Sequence, residues 1–391
     1  MNNTFYTLLF SSVGHALMHM FAAFYFVIVL TIEKEWNISY DQLIRLWSLG
    51  ALLIGLGAIP FGWLSDRWSR SGTMTIMFIG MGLASILCGL SNSISFLFIS
   101  LSLLGLFCSI YHPVGIPWVI NSANKQGRAL GINGIFGGVG IGSGAFVAGT
   151  LTELLNWQAA FILPGFISIF IGFILIYLIF IDKISYKNFF ISNGKQDHSR
   201  NEMILIAFIM LLSMFALGLS FHNTQTSLPK VFEIRIGNIN SIQIGFMIGI
   251  IYFTSGVTTF FGGLMADRFN LKAIYLTGIF MQFPCYLGIA YISGYSIVIL
   301  CILAAIFNAS ILPTENLLLS KFTPQKYHGV VYGIKFILAF GSGPISVFLI
   351  SEIYSITLEF TYLFLINAVM MALVSIFILF LPIKSKKSLI T

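Results

Sequence analysis

Residues 61–70 read FGWLSDRWSR, and residues 261–270 read FGGLMADRFN. Each holds a glycine, an Asp-Arg pair and then an aromatic: Gly62, Asp66, Arg67 and Trp68 in one, Gly263, Asp267, Arg268 and Phe269 in the other. Each also closes a long apolar run. The same charged punctuation, written twice about two hundred residues apart, points to a chain built as a repeat.

Composition says where such a chain must live. Of 391 residues, 58% are hydrophobic and 8% charged, against about 25% charged in a soluble globular chain. That is too little charge to cover a water-facing surface, so the chain is an integral membrane protein with the lipid bilayer as its solvent. The net charge of +7 comes from basic residues scattered between apolar runs. It is no nucleic-acid patch, and no nucleic-acid partner is expected. Cys88, Cys108, Cys285 and Cys301 all fall inside apolar runs without C-x-x-C spacing, so they are small packing residues. The N-terminus MNNTFYTLLF lacks a basic region and enters an apolar stretch of about 26 residues, too long for the apolar part of a signal peptide, so a retained first span is expected.

A helix needs about 20 apolar residues to cross the hydrocarbon core. Twelve runs qualify: 5–30, 42–64, 72–90, 95–120, 129–152, 158–181, 203–228, 241–265, 272–291, 295–320, 329–351 and 359–382. Backbone in lipid must satisfy its own hydrogen bonds, so these are helices. With the N-terminus inside, fifteen basic residues fall on cytoplasmic segments: Arg67, Arg70, Lys125, Arg128, Lys183, Lys187, Lys195, Arg200, Arg268, Lys272, Lys321, Lys326, Lys384, Lys386 and Lys387. Four fall on outer loops: Lys34, Arg45, Lys230 and Arg235. That bias places both termini in the cytoplasm. The longest connection, 182–202, is polar and basic. It divides the chain into an N-terminal six-helix bundle, 1–181, and a C-terminal one, 203–391.

The repeat extends beyond the Asp-Arg pairs. LFCSIYHP, ending at Pro113, corresponds to IFNASILP, ending at Pro313; GRALGI at 127–132 corresponds to GVVYGI at 329–334; Thr152-Glu153 corresponds to Ser351-Glu352. Six spans return the chain to the same side, so the two units are parallel repeats, which place a substrate site at the midplane between them.

The loop after span two, G-x-L-x-D-R with Gly62, Leu64, Asp66 and Arg67 and with Arg70 following, resembles the signature of the major facilitator superfamily. The likeness covers nearly the whole chain. It implies an all-α integral membrane fold of twelve transmembrane helices and secondary active transport by alternating access. It implies that this loop is a cytoplasmic latch between helices, with Asp66 near a helix N-terminus, where the dipole favours a carboxylate. The second copy, with Asp267 and Arg268, has Met265 for the leucine, and Ser69 stands where the family has a glycine. The drug/proton antiporter branch has an arginine in span four and a Gly-Pro pair in span five; this chain has neither. The YHP at Tyr111–Pro113 is similar to the fosmidomycin-resistance-like group of efflux carriers.

Ionisable groups at membrane depth are costly, so they mark a pathway or a pair. Lys335 lies about six residues into span eleven, and Glu315 about six residues from the same end of span ten. By these boundaries they are the only full charges buried away from span ends, and at matching depth they are expected to pair or to share a cavity. They form a gate, a proton-linked carboxylate beside a substrate-binding cation, or a structural tie. Lys335 aligns with Asn133 of the first repeat. His15 and His19, four apart, share a face of span one. His112 precedes Pro113 in span four, where the helix is expected to kink. His222 lies in SFHNTQTS of span seven. Spans one, four and seven line the cavity in the resembled family, and histidine can carry a proton or donate to an anion. H-x-x-x-H offers two imidazoles without an evident third ligand, so no metal is expected. The glycine-dense GINGIFGGVGIGSGAFVAGT, residues 131–150, is no phosphate loop; small residues there and in GSGP at 341–344 let helices approach and slide.

The expectation is a monomeric secondary transporter of the bacterial inner membrane. It moves a small polar solute, an organic anion first, with protons as coupling partner and no cofactor, and it is not an enzyme. Efflux of a drug-like compound and a membrane sensor or scaffold on a transporter fold are the alternatives.

Overall fold

The computed structural model describes residues 3–123, 126–184, 200–322 and 328–382. Most of the 182–202 connection lies outside these residues, as do Lys125, Lys187, Lys195, Lys326, Lys384, Lys386 and Lys387 of the basic tally.

Among the described residues, twelve helical spans are long and apolar enough to cross a membrane. Span one is α1 (Asn3–Trp36). Span two is assembled from α2 (Tyr40–Ile44), a 3-10 turn (Arg45–Trp47), α3 (Ser48–Leu56) and α4 (Ala58–Arg67). Span three is α5 (Arg70–Gly89), and span four is split into α6 (Ile94–Cys108) and α7 (Tyr111–Ser122). Spans five and six are α8 (Gln126–Leu154) and α9 (Trp157–Phe180). The second repeat is unbroken: α10 (Arg200–Ile236), α11 (Ser241–Arg268), α12 (Leu271–Tyr291), α13 (Ser296–Phe322), α14 (His328–Thr357) and α15 (Thr361–Leu379).

The breaks have local causes. A proline lacks the N–H that would bond the carbonyl four residues earlier. Pro113 leaves Ser109 without that partner, and α6 gives way to α7 at Ser109–Ile110. Pro60 does the same for Leu56, where α3 gives way to α4. The short connections use polar caps: the Ser69 hydroxyl accepts from Gly72 N–H at 3.1 Å, and Asn156 from Ala159 N–H at 2.7 Å. Asn240 and Gln243 form a reciprocal capping box.

The glycine-dense α8 packs on both α1 and α11. A Cβ on Gly140 would stand 2.3 Å from the Ala16 carbonyl oxygen, and one on Gly138 would stand 2.5 Å from Gly256 Cα. Only glycine lets these backbones touch. On α9 the bulky Phe166, Phe170, Phe173, Tyr177 and Phe180 are exposed at helical spacing, the stripe that lipid would cover.

Several helices outrun the apolar stretches that announce them. Lys230 and Arg235, expected in an outer loop, lie in the last turns of α10, and Lys230 is 7% exposed. Glu315 and Lys335 are therefore not the only buried charges; Arg70 is buried as well. The flanking charges pair with one another, which lets a helix continue past the apolar run.

Candidate functional site

Ion pairs join the repeats at the end where α1 finishes. Lys230 Nζ, on α10, contacts Glu33 of α1 at 2.6 Å and Glu233 of its own helix at 2.8 Å. Lys34 reaches Glu233 at 2.6 Å. Arg45 pairs with Glu352 at 2.6 Å, and Ser351 donates to the Asp41 carbonyl at 2.9 Å. Tyr40 and Tyr354 flank the Lys230 ammonium at 5.5 and 5.7 Å. Among the described residues, every ion pair between the repeats lies at this end. At the opposite end α4 packs on α3, α5 and α7, all in its own repeat.

Between these ends lies a cavity of about 140 Å³, bounded by Ile54 and Ile59 on span two, His112 and Pro113 on span four, and Ile337 and Phe340 on α14. Phe340 also borders a smaller, mostly apolar recess into which His222, Gln225 and Thr226 bring polar groups. The Phe340 ring lies 4.8 Å from that of His112 and 6.5 Å from that of His222.

Lys335 and Glu315 do pair, at 2.6 Å, with both side chains buried. The network extends further than the sequence indicated. Lys335 also donates to Asn316 Oδ1 at 2.6 Å, Tyr275 donates to Glu315 at 3.0 Å, and the Tyr275 hydroxyl meets Ser213 at 2.8 Å. Asn133 occupies a neutral counterpart. It accepts from the Tyr111 hydroxyl at 2.8 Å and donates to Ser11 at 3.3 Å. Ser213 stands as far after Ser11 as Lys335 stands after Asn133. That register was the available signal for both serines; Tyr275 and Phe340 carry no sequence signal beyond being two aromatics among many.

His15 and His19 share a face, as their spacing requires, with ring centroids 5.0 Å apart. The fold corrects the expectation of no third ligand: α7 places His112 5.5 Å from each. His222 is not in this cluster of ligating nitrogens.

Asp66 lies in the last turn of α4 and accepts at 3.2 Å from Arg70, the first residue of α5. The N-terminus of α5 is capped by Ser69, the residue that replaces a glycine. Arg67 is exposed and stacks over Trp63 at 4.4 Å. Gly62 faces Pro113 of span four. In the second copy Asp267 and Arg268 are exposed at the end of α11, and Asn270 caps the next helix.

The sequence matches the Major Facilitator Superfamily over residues 11–334 and again over 203–390, the second match opening where span seven does. The chain belongs to this superfamily of membrane transporters. The riboflavin transporter RibZ of Clostridioides difficile (strain 630) is 29% identical over 147 residues, 36% of this chain and 32% of that protein. An uncharacterized transporter of Buchnera aphidicola subsp. Schizaphis graminum (strain Sg) is 23% identical over 242 residues, 58% of this chain and 55% of that one. The facilitator chain thus spans about a third and about half of these curated relatives. A bacterial homolog of the human lysosomal transporter Spinster, solved inward-facing and unoccupied, superposes with a TM-score of 0.71 at 15% identity, covering 97% of this chain and 95% of that one. Its occupied form gives 0.70. At this identity the likeness is one of fold.

Proposed function

We propose that this facilitator is a secondary active transporter of the bacterial inner membrane that moves a small organic anion by alternating access, coupled to protons. Lys335 is the substrate-attracting cation and Glu315 the carboxylate that takes up the proton. The observation that carries this is their buried pair: a charged group is kept at membrane depth only where the function or another charge requires it. Protonating Glu315 would release Lys335 to an incoming anion, so the two events are linked. His15, His19, His112 and Asn133 of the first repeat, with His222 of the second, extend the polar path to the interface. The bodies that move are 1–181 and 203–391, with the basic loop between them and both termini in the cytoplasm. That orientation makes the ion-paired end the outer one and this conformation inward-facing, as in the Spinster homolog. Gly62, Asp66, Arg67 and Arg70, with Asp267 and Arg268, then form the cytoplasmic latch.

A second reading rests on the cavity itself. Its walls, Ile54, Ile59, Ile337 and Phe340, are apolar and aromatic, and one relative is a riboflavin transporter. A flat heterocyclic or drug-like solute would fit such walls.

A ligand that binds the folded state raises its apparent stability by mass action. Purified protein is screened for thermal stabilisation against small carboxylates, phosphonates, amino acids, sugars, flavins and lipophilic cations. Stabilisation by anions that disappears in Lys335→Ala supports the first reading. Stabilisation only by flavins or lipophilic cations, unchanged in Lys335→Ala, replaces it with the second.

A further inference from the structure

We propose that His15, His19 and His112 form a binding site for a first-row divalent transition-metal ion, with Zn²⁺ as the probe. The inference goes beyond the transport reading and does not depend on which solute moves.

Two imidazoles one helical turn apart on α1 meet a third from the first turn of α7. One ring nitrogen of each lies within 4.8 Å of those of the other two. In a tetrahedral site with metal–nitrogen distances of about 2.0–2.1 Å, ligand nitrogens stand roughly 3.4 Å apart. Small side-chain rotations close that gap. The Pro113 break in span four is what turns His112 toward span one.

Two features beyond proximity prepare His15 for ligation. Its Nδ1 lies 2.8 Å from the Asn133 backbone carbonyl. A carbonyl only accepts, so Nδ1 carries the proton and the Nε2 lone pair faces outward, the arrangement that an outer carbonyl imposes on metal-binding histidines. A Cβ on residue 137 would stand 2.8 Å from that Nε2, and the residue there is Gly137. The nitrogen is left open by the one side chain that cannot cover it. Tyr111, stacked on His15 at 4.5 Å, holds the ring in place.

The donor set indicates the class of ion. Three neutral imidazoles without a carboxylate suit zinc, nickel, cobalt or copper rather than magnesium or calcium. Three protein ligands leave a fourth position. His112 borders the 140 Å³ cavity, so water or a donor atom of a solute can fill it.

The test uses the untagged full chain in detergent, stripped with EDTA and titrated with Zn²⁺ by calorimetry and with Co²⁺ by visible absorption. One ion per chain is expected, with tetrahedral Co²⁺ bands and no response to Mg²⁺. His19→Gln and His112→Gln each weaken binding by about 100-fold or more. Gly137→Ala weakens it while all three imidazoles remain. His19→Cys, which keeps a ligand at that position, retains binding and adds a thiolate band to the Co²⁺ spectrum. Thermal midpoints in EDTA check that each variant is folded. No saturable binding by the folded wild-type chain, or binding that survives His15→Gln/His19→Gln/His112→Gln, overturns the proposal.

Discussion

Lys335 is held by two contacts of 2.6 Å, to Glu315 and to Asn316, and Glu315 is held in turn by Tyr275. Removing one partner of a buried pair strands the other charge and costs about 3–5 kcal/mol, whereas removing both is often close to neutral. Lys335→Met and Glu315→Gln should each lower the thermal midpoint, and the double variant should recover most of the loss. All three should lack coupled flux in proteoliposomes, Glu315→Gln by losing its dependence on the proton gradient. A double variant no more stable than the singles would show that the charges do not compensate each other. The sequence made this pair legible because two charges stood at matching depth in otherwise apolar helices. It carried no signal for Tyr275, since a tyrosine in an apolar run looks the same whether it bonds a carboxylate or a backbone carbonyl, and only the repeat register pointed to Ser213.

Helix ends decide what can be read at the next scale. The apolar runs located all twelve spans, yet α10 continues through Lys230 and Arg235 because Glu33 and Glu359, far away in sequence, pair with them, where no local pattern records it. Arg235 donates from Nε to Glu359 at 2.7 Å, and Glu359 accepts from the Phe360 N–H at 2.7 Å at the start of α15. Burial pushes the Glu359 carboxyl up, but the Arg235 guanidinium and the Phe360 N–H outweigh it and hold the group below its usual value of 4.5. Its folded value is depressed, so the clamp stabilises above about pH 4.5 and the gain is lost as pH falls through the lower folded value. Thermal midpoints of wild type should therefore fall more steeply below pH 4.5 than those of Glu359→Gln; parallel curves would remove Glu359 from acid sensitivity. The cap on α5 is a second test of an element's end. Ser69→Ala should cost about 1 kcal/mol, and Ser69→Gly only a few tenths. Equal losses would mean that the hydroxyl does not cap.

For the molecule as a whole, the repeat was legible because the same motif recurs at one spacing, and that register fixed which spans correspond. Which end the two repeats close could not be read, since it depends on pairs such as Lys230 with Glu33 and Arg45 with Glu352 that join segments far apart in sequence. On the alternating-access reading these pairs bias a two-state equilibrium, and weakening them should move population toward the state closed at the latch end. Their weights differ. Arg45 and Glu352 are both substantially exposed, and such pairs contribute about 0–1 kcal/mol. Lys230 is buried between two carboxylates, so Lys230→Met leaves Glu33 and Glu233 facing each other and should shift the balance further. The four native cysteines are buried, so a single introduced thiol can report the state. Ile59→Cys, exposed at the mouth of the cavity, should react readily with a water-soluble maleimide. Adding Lys230→Met should slow that reaction several-fold, and Arg45→Ala should slow it less. An Ile59→Cys labelling rate indifferent to Lys230→Met would mean that the buried ammonium ties the helices without setting which end opens.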